Sequence, residues 1–347
     1  MLDFDAYLRR IGLDPADKPA WQAVHRAHAT TIPFENLDSH RGIPVSLAQA
    51  DLERKLVTSR RGGYCFEHNL LLASALEQMG LAVEPMLARV IAGRAPRETR
   101  PPGHLALRVT DSDGRQWHAD VGFGLGTLLD PIPFGPAGPR EQSGWSFQVV
   151  TDGDELILQT LGPDGWTDVY SFPPRPVFRI DIEVSNWWTC TNPASPFVSG
   201  LIVSINHDDG RREALFDFSG PLITMASSPG GTQATQTQRE AIPSLLAQRF
   251  GLPGFGLGPD GRVVACSLSR RHPARLTGTA AARTPVRSGY KRLFFRTVRP
   301  ASFRSCFSLA RFTGRTRILS AVRVWEQIRC PARYRAVPCR QGRRPIR

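Results

Sequence analysis

Arg61-Gly-Gly-Tyr-Cys-Phe-Glu-His-Asn69 runs directly into Leu70, Leu71, Leu72, Ala75, Leu76 and Met79, and Gly80 follows. The apolar residues recur at helical spacing and glycine is a good terminator, so Cys65 is expected to open a helix that runs to Met79. That position matters chemically. A helix N-terminus carries partial positive charge and unpaired N–H groups, which favour a thiolate over a thiol. Upstream, Phe4, Tyr7, Leu8 and Ile11 predict one helix, and Trp21, Val24 and His28 predict a second ending before Ile32-Pro33; Leu52 to Leu56 reads as a further short one.

From Ala82 the texture changes to short β-rich runs: Val83 to Ile91, Leu105 to Val109, Gln116 to Val121, Phe147 to Val150 and Leu156 to Thr160. Asp-Gly and Pro-Gly turns separate them, which predicts an antiparallel barrel or sandwich. From about Ser195 to Gly254, strands at Leu201 to Ile205 and Ala214 to Phe218 are followed by a closing helix, Thr237 to Phe250. The expected organisation is thus a helical domain over 1–82 carrying the cysteine, a β domain over 83–194, an α/β segment over 195–265, and a remainder over 266–347.

That remainder has a different chemistry. The 347-residue chain has a formal charge of +13, but residues 266–347 hold 21 of its 44 Lys and Arg and only one of its 31 acids, Glu326. The first 265 residues therefore keep 23 basic and 30 acidic side chains, an ordinary soluble balance. Three explanations of the basic stretch compete: a disordered tail, a nucleic-acid-binding extension, or a segment read in a shifted frame. Arginines scattered without a fold motif or aromatic platform speak against nucleic acid, so an atypical, disordered tail is expected. No run approaches the ~20 apolar residues of a membrane helix, and Met1-Leu-Asp-Phe-Asp5 has no signal-peptide character. The default compartment is the cytoplasm. No cysteine pair has CxxC or another compact zinc spacing, so no metal is expected.

A cysteine alone is more often packing than nucleophile unless a base and an orienting acid lie downstream. His104-Leu-Ala-Leu-Arg-Val109 and Gln116-Trp-His-Ala-Asp120 supply both, joined by Asp111-Ser-Asp-Gly-Arg115. If the hairpin loop has three residues, Ser112, Asp113 and a left-handed Gly114, His104 faces Gly122 and Asp120 is its diagonal neighbour on the same face. A two-residue Asp-Gly loop would throw Asp120 to the other face. The triad therefore demands the longer turn. His118, which shares Asp120's strand face, is the rival base. Gly122-Phe-Gly-Leu-Gly-Thr127 is not read as a dinucleotide loop, because it leads into Leu-Leu-Asp-Pro rather than a helix. Its glycines instead suit close approach of a ligand to the backbone near Cys65. His25 and His28 read as a surface or core pair, and Cys190 beside Trp187 and Trp188 reads as buried.

Arg61-Gly-Gly-Tyr-Cys-Phe-Glu-His-Asn69, Ala88-Arg-Val90, His104-Leu105, Asp120-Val-Gly-Phe-Gly124, Ile32-Pro-Phe-Glu-Asn-Leu37 and Asn186-Trp-Trp-Thr-Cys-Thr-Asn-Pro-Ala-Ser-Pro-Phe197 together, in this order, resemble the motifs of the arylamine N-acetyltransferases. The resemblance spans about residues 1–265. It implies an α+β multidomain fold with a papain-like cysteine-enzyme arrangement: an N-terminal helical bundle, an antiparallel β-barrel and an α/β lid. It implies acetyl-CoA as cosubstrate, an aromatic amine, hydrazine or hydrazide as acceptor, and Cys65, His104 and Asp120 as nucleophile, base and orienting acid. By the same resemblance Phe34, Phe123 and Phe197 line the amine pocket. Arg100, Pro101, Pro102 and Gly103 take the place of a coenzyme A-contacting segment, beside Gly122, Gly124, Gly126 and Thr127, and Arg61 and Glu35 form a structural ion pair. The same motifs would serve an amide synthase closing a macrolactam; a cysteine hydrolase of transglutaminase or protease type is the rival of different chemistry.

Overall fold

In the computed structural model, residues 1–92, 100–218 and 220–266 are described below, and they belong to one compact unit. Residues 93–99 and nearly all of the basic stretch lie outside them, so the expectation of a disordered tail falls on residues not described.

The N-terminal part is helical for the reasons its sequence gives. Helix α1 (Phe4–Arg10) is capped by Asp3, whose carboxylate accepts from Ala6 N, and α2 (Trp21–Thr31) buries Trp21, Val24, His25 and His28. A two-residue strand β1 (Phe34–Glu35) and the single turn α3 (Leu37–His40) follow. Helix α4 (Gln49–Leu52) continues as a π-helical turn over Glu53–Thr58, so the short helix expected at Leu52 begins earlier and is wider. Cys65 is the first residue of α5 (Cys65–Gln78), and Gly80, at φ +83°, ends the run as expected. Glu67 caps α5 by accepting from the Tyr64 N–H at 3.1 Å.

Eight antiparallel strands follow: β2 (Ala82–Val90), β3 (His104–Thr110), β4 (Gln116–Ala119), β5 (Ile132–Pro133), β6 (Arg140–Gln142), β7 (Trp145–Asp152), β8 (Glu155–Gly162) and β9 (Gly165–Phe172). They form a nearly closed barrel in the order β5-β4-β3-β2-β9-β8-β7-β6. Its core is Met86, Ala88, Phe123, Phe147, Leu158, Tyr170 and Phe172 with their neighbours. The β3–β4 register pairs Leu107 with Ala119 and Val109 with Trp117, and Gly114 sits at φ +76°. This is the three-residue loop that the triad requires. Strand β4 stops at Ala119, two residues short of the expected Val121, because Asp120 turns its carboxylate back onto the Gly122 N–H at 2.9 Å and leaves the ladder.

Helix α6 (Arg179–Thr191) and the turn α7 (Pro196–Ser199) lead to a second sheet. It comprises β10 (Ile202–Asn206), β11 (Arg212–Phe216), β12 (Ile223–Ser228) and β13 (Gly231–Gln236), in the order β1-β10-β11-β12-β13. Helix α8 (Ile242–Arg249) covers one face through Ile242, Leu246 and the following Phe250, packed on Leu201, Val203 and Leu215. It starts five residues later than the sequence suggested. A 3-10 turn over Arg239–Ala241 precedes it, and a proline in its first turn fits a helix start rather than an interior. A small hairpin, β14 (Phe255–Leu257) with β15 (Val263–Ala265), closes the described chain. No helix among the described residues is long and apolar enough to cross a membrane.

Candidate active site

Helix α5 and strands β3 and β4 converge where β4 ends. Gly122 packs so closely on the start of α5 that a Cβ there would lie 2.8 Å from the Cys65 Cα and 2.8 Å from Asn69 Nδ2. Glycine at 122 therefore sets the distance between the helix that begins at Cys65 and the hairpin that carries His104 and Asp120. Cys65, His104 and Asp120 are all buried.

His104 Nε2 meets Asp120 Oδ2 at 2.8 Å. This engages one ring nitrogen and leaves Nδ1 available, and Cys65 lies close enough to the same imidazole to favour its charged form. Burial by itself would make His104 harder to protonate, but the Asp120 charge and hydrogen bond, with the Cys65 contact, outweigh it and raise its pKa to about 10. Burial likewise would raise Asp120; the His104 charge and the hydrogen bonds from His104, Asn69 and Gly122 hold it well below the usual carboxylate range. The Cys65 thiol also lies 3.6 Å from the Gly103 carbonyl.

Asp120 is held by more groups than sequence reasoning named. Its Oδ1 accepts from Asn69 Nδ2 and from Gly122 N, both at 2.9 Å, and its Oδ2 accepts from the Tyr170 hydroxyl at 2.9 Å as well as from His104. Its own N–H donates to His25 Nε2 at 3.2 Å, while His25 Nδ1 bonds the Leu129 carbonyl. Asn69 carried a signal, because it lies one helical turn beyond Cys65 on the same face. Tyr170 carried none: it sits 50 residues downstream, on a strand the sequence reading did not identify.

The rival base is elsewhere in the same network. His118 Nε2 lies 2.6 Å from the Tyr170 hydroxyl, and burial lowers its pKa to about 4. Since that hydroxyl donates to Asp120, His118 acts as the donor to Tyr170. His28 belongs to a second chain: Tyr7 hydroxyl to His28 Nδ1 at 2.8 Å, His28 Nε2 to His68 Nδ1 at 2.9 Å, and His68 Nε2 to the Pro33 carbonyl at 3.2 Å. The pair His25 and His28 is thus buried rather than superficial. Arg61 meets Glu35 at 2.6 Å, within a larger network in which Lys55 bridges Asp38 and Glu67 at 2.8 and 2.7 Å.

The aromatic candidates divide. Phe34 and Phe197 are neighbours, with ring centres 6.1 Å apart and Tyr64 5.7 Å from Phe197. Phe123 instead stands edge-on to His104 at 5.0 Å. In the segment expected to meet coenzyme A, the Arg100 carbonyl accepts from Arg89, the Pro102 carbonyl from Ser185, and the Pro101 carbonyl from Gly103 N at 2.7 Å. Gly124, at φ +68°, accepts from Asn206 through its carbonyl, and Gly126 packs under the Phe123 ring. The Thr127 hydroxyl accepts from Phe123 N at 2.7 Å. Cys190 is buried in the same apolar cluster as Cys65. Among the described residues no three His, Cys, Asp or Glu side chains gather as a metal site would need.

A helical segment presenting a cysteine at a helix start, against a barrel hairpin presenting histidine and aspartate, is the arrangement of an α+β fold of papain-like type. Residues 19–253 match a family model described as N-acetyltransferase. An arylamine N-acetyltransferase of Mycolicibacterium smegmatis is 42% identical over 260 residues, covering 72% of this chain and 92% of that protein. The arylamine N-acetyltransferase / N-hydroxyarylamine O-acetyltransferase of Salmonella typhimurium is 33% identical, covering 71% and 88%. Among solved structures, the Mycobacterium marinum arylamine N-acetyltransferase in complex with CoA superposes with a TM-score of 0.67 at 32% identity, over 72% of this chain and 93% of that one. The chain belongs to the arylamine N-acetyltransferase family, and it is a transferase.

Proposed function

We propose that the protein transfers an acetyl group from acetyl-CoA to an aromatic amine, hydrazine or hydrazide in two half-reactions, through a thioester on Cys65. The observation that carries this reading is the buried 2.8 Å contact of His104 Nε2 with Asp120, which turns Nδ1 towards a cysteine at a helix start. In the resting site His104 already holds the thiol proton, in keeping with its raised pKa, and Asp120 stabilises the imidazolium and fixes the ring. The Cys65 sulfur attacks the acetyl carbonyl carbon, the carbon–sulfur bond to coenzyme A breaks, and His104 returns the proton to the departing thiolate. In the second half, the amine nitrogen attacks the acetyl-Cys65 carbonyl while His104 accepts its proton, and Cys65 leaves.

The M. marinum relative bound to CoA supports the donor, and the names of the relatives support the acceptor class. Phe34 and Phe197, with Tyr64, offer ring faces to an aryl group, where offset stacking contributes about 0.5–1.5 kcal/mol beyond burial. Gly103 beside the thiol, and the Pro101–Gly103 turn, are the backbone nearest an incoming thioester. The test is to mix purified protein with acetyl-CoA, without amine, and to measure the mass of the peptide containing Cys65. A gain of one acetyl group is expected, discharged by an arylamine. Release of acetate at the same rate with and without amine would indicate a hydrolase instead.

A further inference from the structure

Arg212, on β11, is a buried cation that the acetyl-transfer reading leaves unused; it is 2% exposed. Its Nη1 donates to the Leu125 carbonyl at 2.5 Å. Its guanidinium lies 4.1 Å from the Trp145 ring centre and 5.7 Å from that of Phe147. Nε and Nη2 have no hydrogen-bond partner, and among the described residues no Asp or Glu forms an ion pair with it. Burial lowers its pKa to about 9, so it still carries its charge at neutral pH. An aromatic face attracts a guanidinium but leaves its in-plane N–H donors unsatisfied. A buried charge without a counter-charge is unfavourable.

The neighbouring groups share this condition. Asn206 pairs with Arg212 across β10–β11, and Ser204 is two residues along on the same face. Ser204 Oγ has no partner, and it lies 3.2 Å from where a Cβ of Gly124 would be. Asn206 Nδ2 holds the Gly124 carbonyl at 3.0 Å, and Asn206 Oδ1 is likewise unpartnered. All three side chains therefore face the Gly124–Gly126 turn, next to Phe123 and hence His104. Nε and Nη2 form the edge of a guanidinium that grips a planar oxyanion with two parallel hydrogen bonds.

We propose that the Nε/Nη2 edge of Arg212, with the Ser204 hydroxyl as a further donor, is a binding site for a small monovalent oxyanion of the formate or acetate class, which braces the Gly124–Gly126 turn beneath the active site. One guanidinium neutralises one charge, which selects a monoanion. Burial of the guanidinium selects a small one. The competing occupant is a neutral water linking Arg212 to Asn206 Oδ1, which satisfies hydrogen bonds but brings no charge.

Thermal unfolding of the full-length chain at fixed pH and ionic strength separates the two, with sodium formate or acetate compared against sodium gluconate, a carboxylate too bulky for the site. At ten times its dissociation constant a bound anion stabilises by about 1.4 kcal/mol, so formate and acetate are expected to raise Tm by roughly 2–4 °C over gluconate, saturably. Arg212→Gln is expected to abolish the response. Asn206→Asp, which places a carboxylate opposite the guanidinium in exchange for the Nδ2 bond to the Gly124 carbonyl, is expected to abolish it too, and it decides the matter alone if Arg212→Gln does not fold. Equal Tm in formate and gluconate for the unaltered protein, or a response that survives in Asn206→Asp, overturns the proposal.

Discussion

Replacing Asp120 by asparagine changes one atom in a group that four donors surround. His104 and the Tyr170 hydroxyl converge on Oδ2, while Asn69 and the Gly122 N–H converge on Oδ1. An amide offers only one oxygen. The Gly122 N–H cannot reverse its polarity, so the amide oxygen stays with it and with Asn69, and the NH2 faces His104. His104 must then accept at Nε2 and carry its proton on Nδ1, where it can no longer take one from Cys65. The energetic part follows from the raised pKa. A value of about 10, against about 6.5 unfolded, contributes about 4 kcal/mol of stability at pH 7. Because the folded value lies above the unfolded one, this contribution is complete below about pH 6.5 and is lost as the pH climbs through 10; at pH 9.5 about 1 kcal/mol remains. Asp120→Asn is therefore expected to slow alkylation of Cys65 by iodoacetamide at pH 7 by more than tenfold, and to lower urea stability by about 3 kcal/mol more at pH 7 than at pH 9.5. An unchanged alkylation rate, or a stability deficit equal at both pH values, would refute the pairing and its assigned strength.

Cys65→Ser should leave circular dichroism unchanged and eliminate the acetylated peptide, since a hydroxyl in this setting is a far weaker nucleophile; turnover near the unaltered level would remove Cys65 from the mechanism. Gly122→Ala should reduce turnover at least tenfold, because its Cβ would lie 2.8 Å from the Cys65 Cα and must push α5 from the hairpin; a single-turnover acetylation assay reads this directly. His25, His68 and His118 are buried and neutral, each lowered by burial to about 4, so their contribution is present above about pH 6.5 and is lost as the pH falls towards 4. Between pH 6.5 and 5 these three, with His28, which burial also lowers, lose more stability than Glu67, raised by burial to about 7, and His104 return, so urea midpoints should fall across that range, and a flat profile would contradict it. His68→Gln should shrink that acid loss, because one proton-excluding imidazole is gone.

The elements that place the candidate triad were legible because local chemistry dictates them. The apolar stripe after Cys65 and Gly80 set α5, and the demand that Asp120 share a face with His104 selected the three-residue loop that the register then displays. Helix α6 was not legible, because both its faces mix polar and apolar residues. Ile180, Val184 and Trp187 are exposed, whereas Ser185, Asn186 and Thr189 are buried beside Ile182 and Cys190, with Ser185 bonded to the Pro102 carbonyl and Asn186 to Tyr64. An amphipathic pattern is hard to recognise when apolar residues lie on both faces. Tyr170 was missed for a related reason. Gly165–Phe172 alternates weakly, because its last four residues are all buried, and nothing in a strand's own sequence names the carboxylate it will meet. The glycines of Gly122–Thr127 were read for a ligand's approach; Gly122 and Gly126 also clear space for Cys65 and for the Phe123 ring, which the sequence does not signal.

The two residues of β1 have a consequence for how the chain is made. Phe34 pairs with Ser204, about 170 residues later, and before that partner exists the strand is held by the Glu35 N–H, which donates to the Gly63 carbonyl. At ordinary translation speeds the ribosome needs roughly ten to thirty seconds to deliver β10 after β1 has emerged. Leu37 likewise waits for Leu201, Val203 and Leu215. During that interval the segment leaves the exit tunnel with Phe34 and Leu37 lacking their strand partners, so a nascent chain stalled before residue 206 is a substrate for chaperones rather than a partial enzyme.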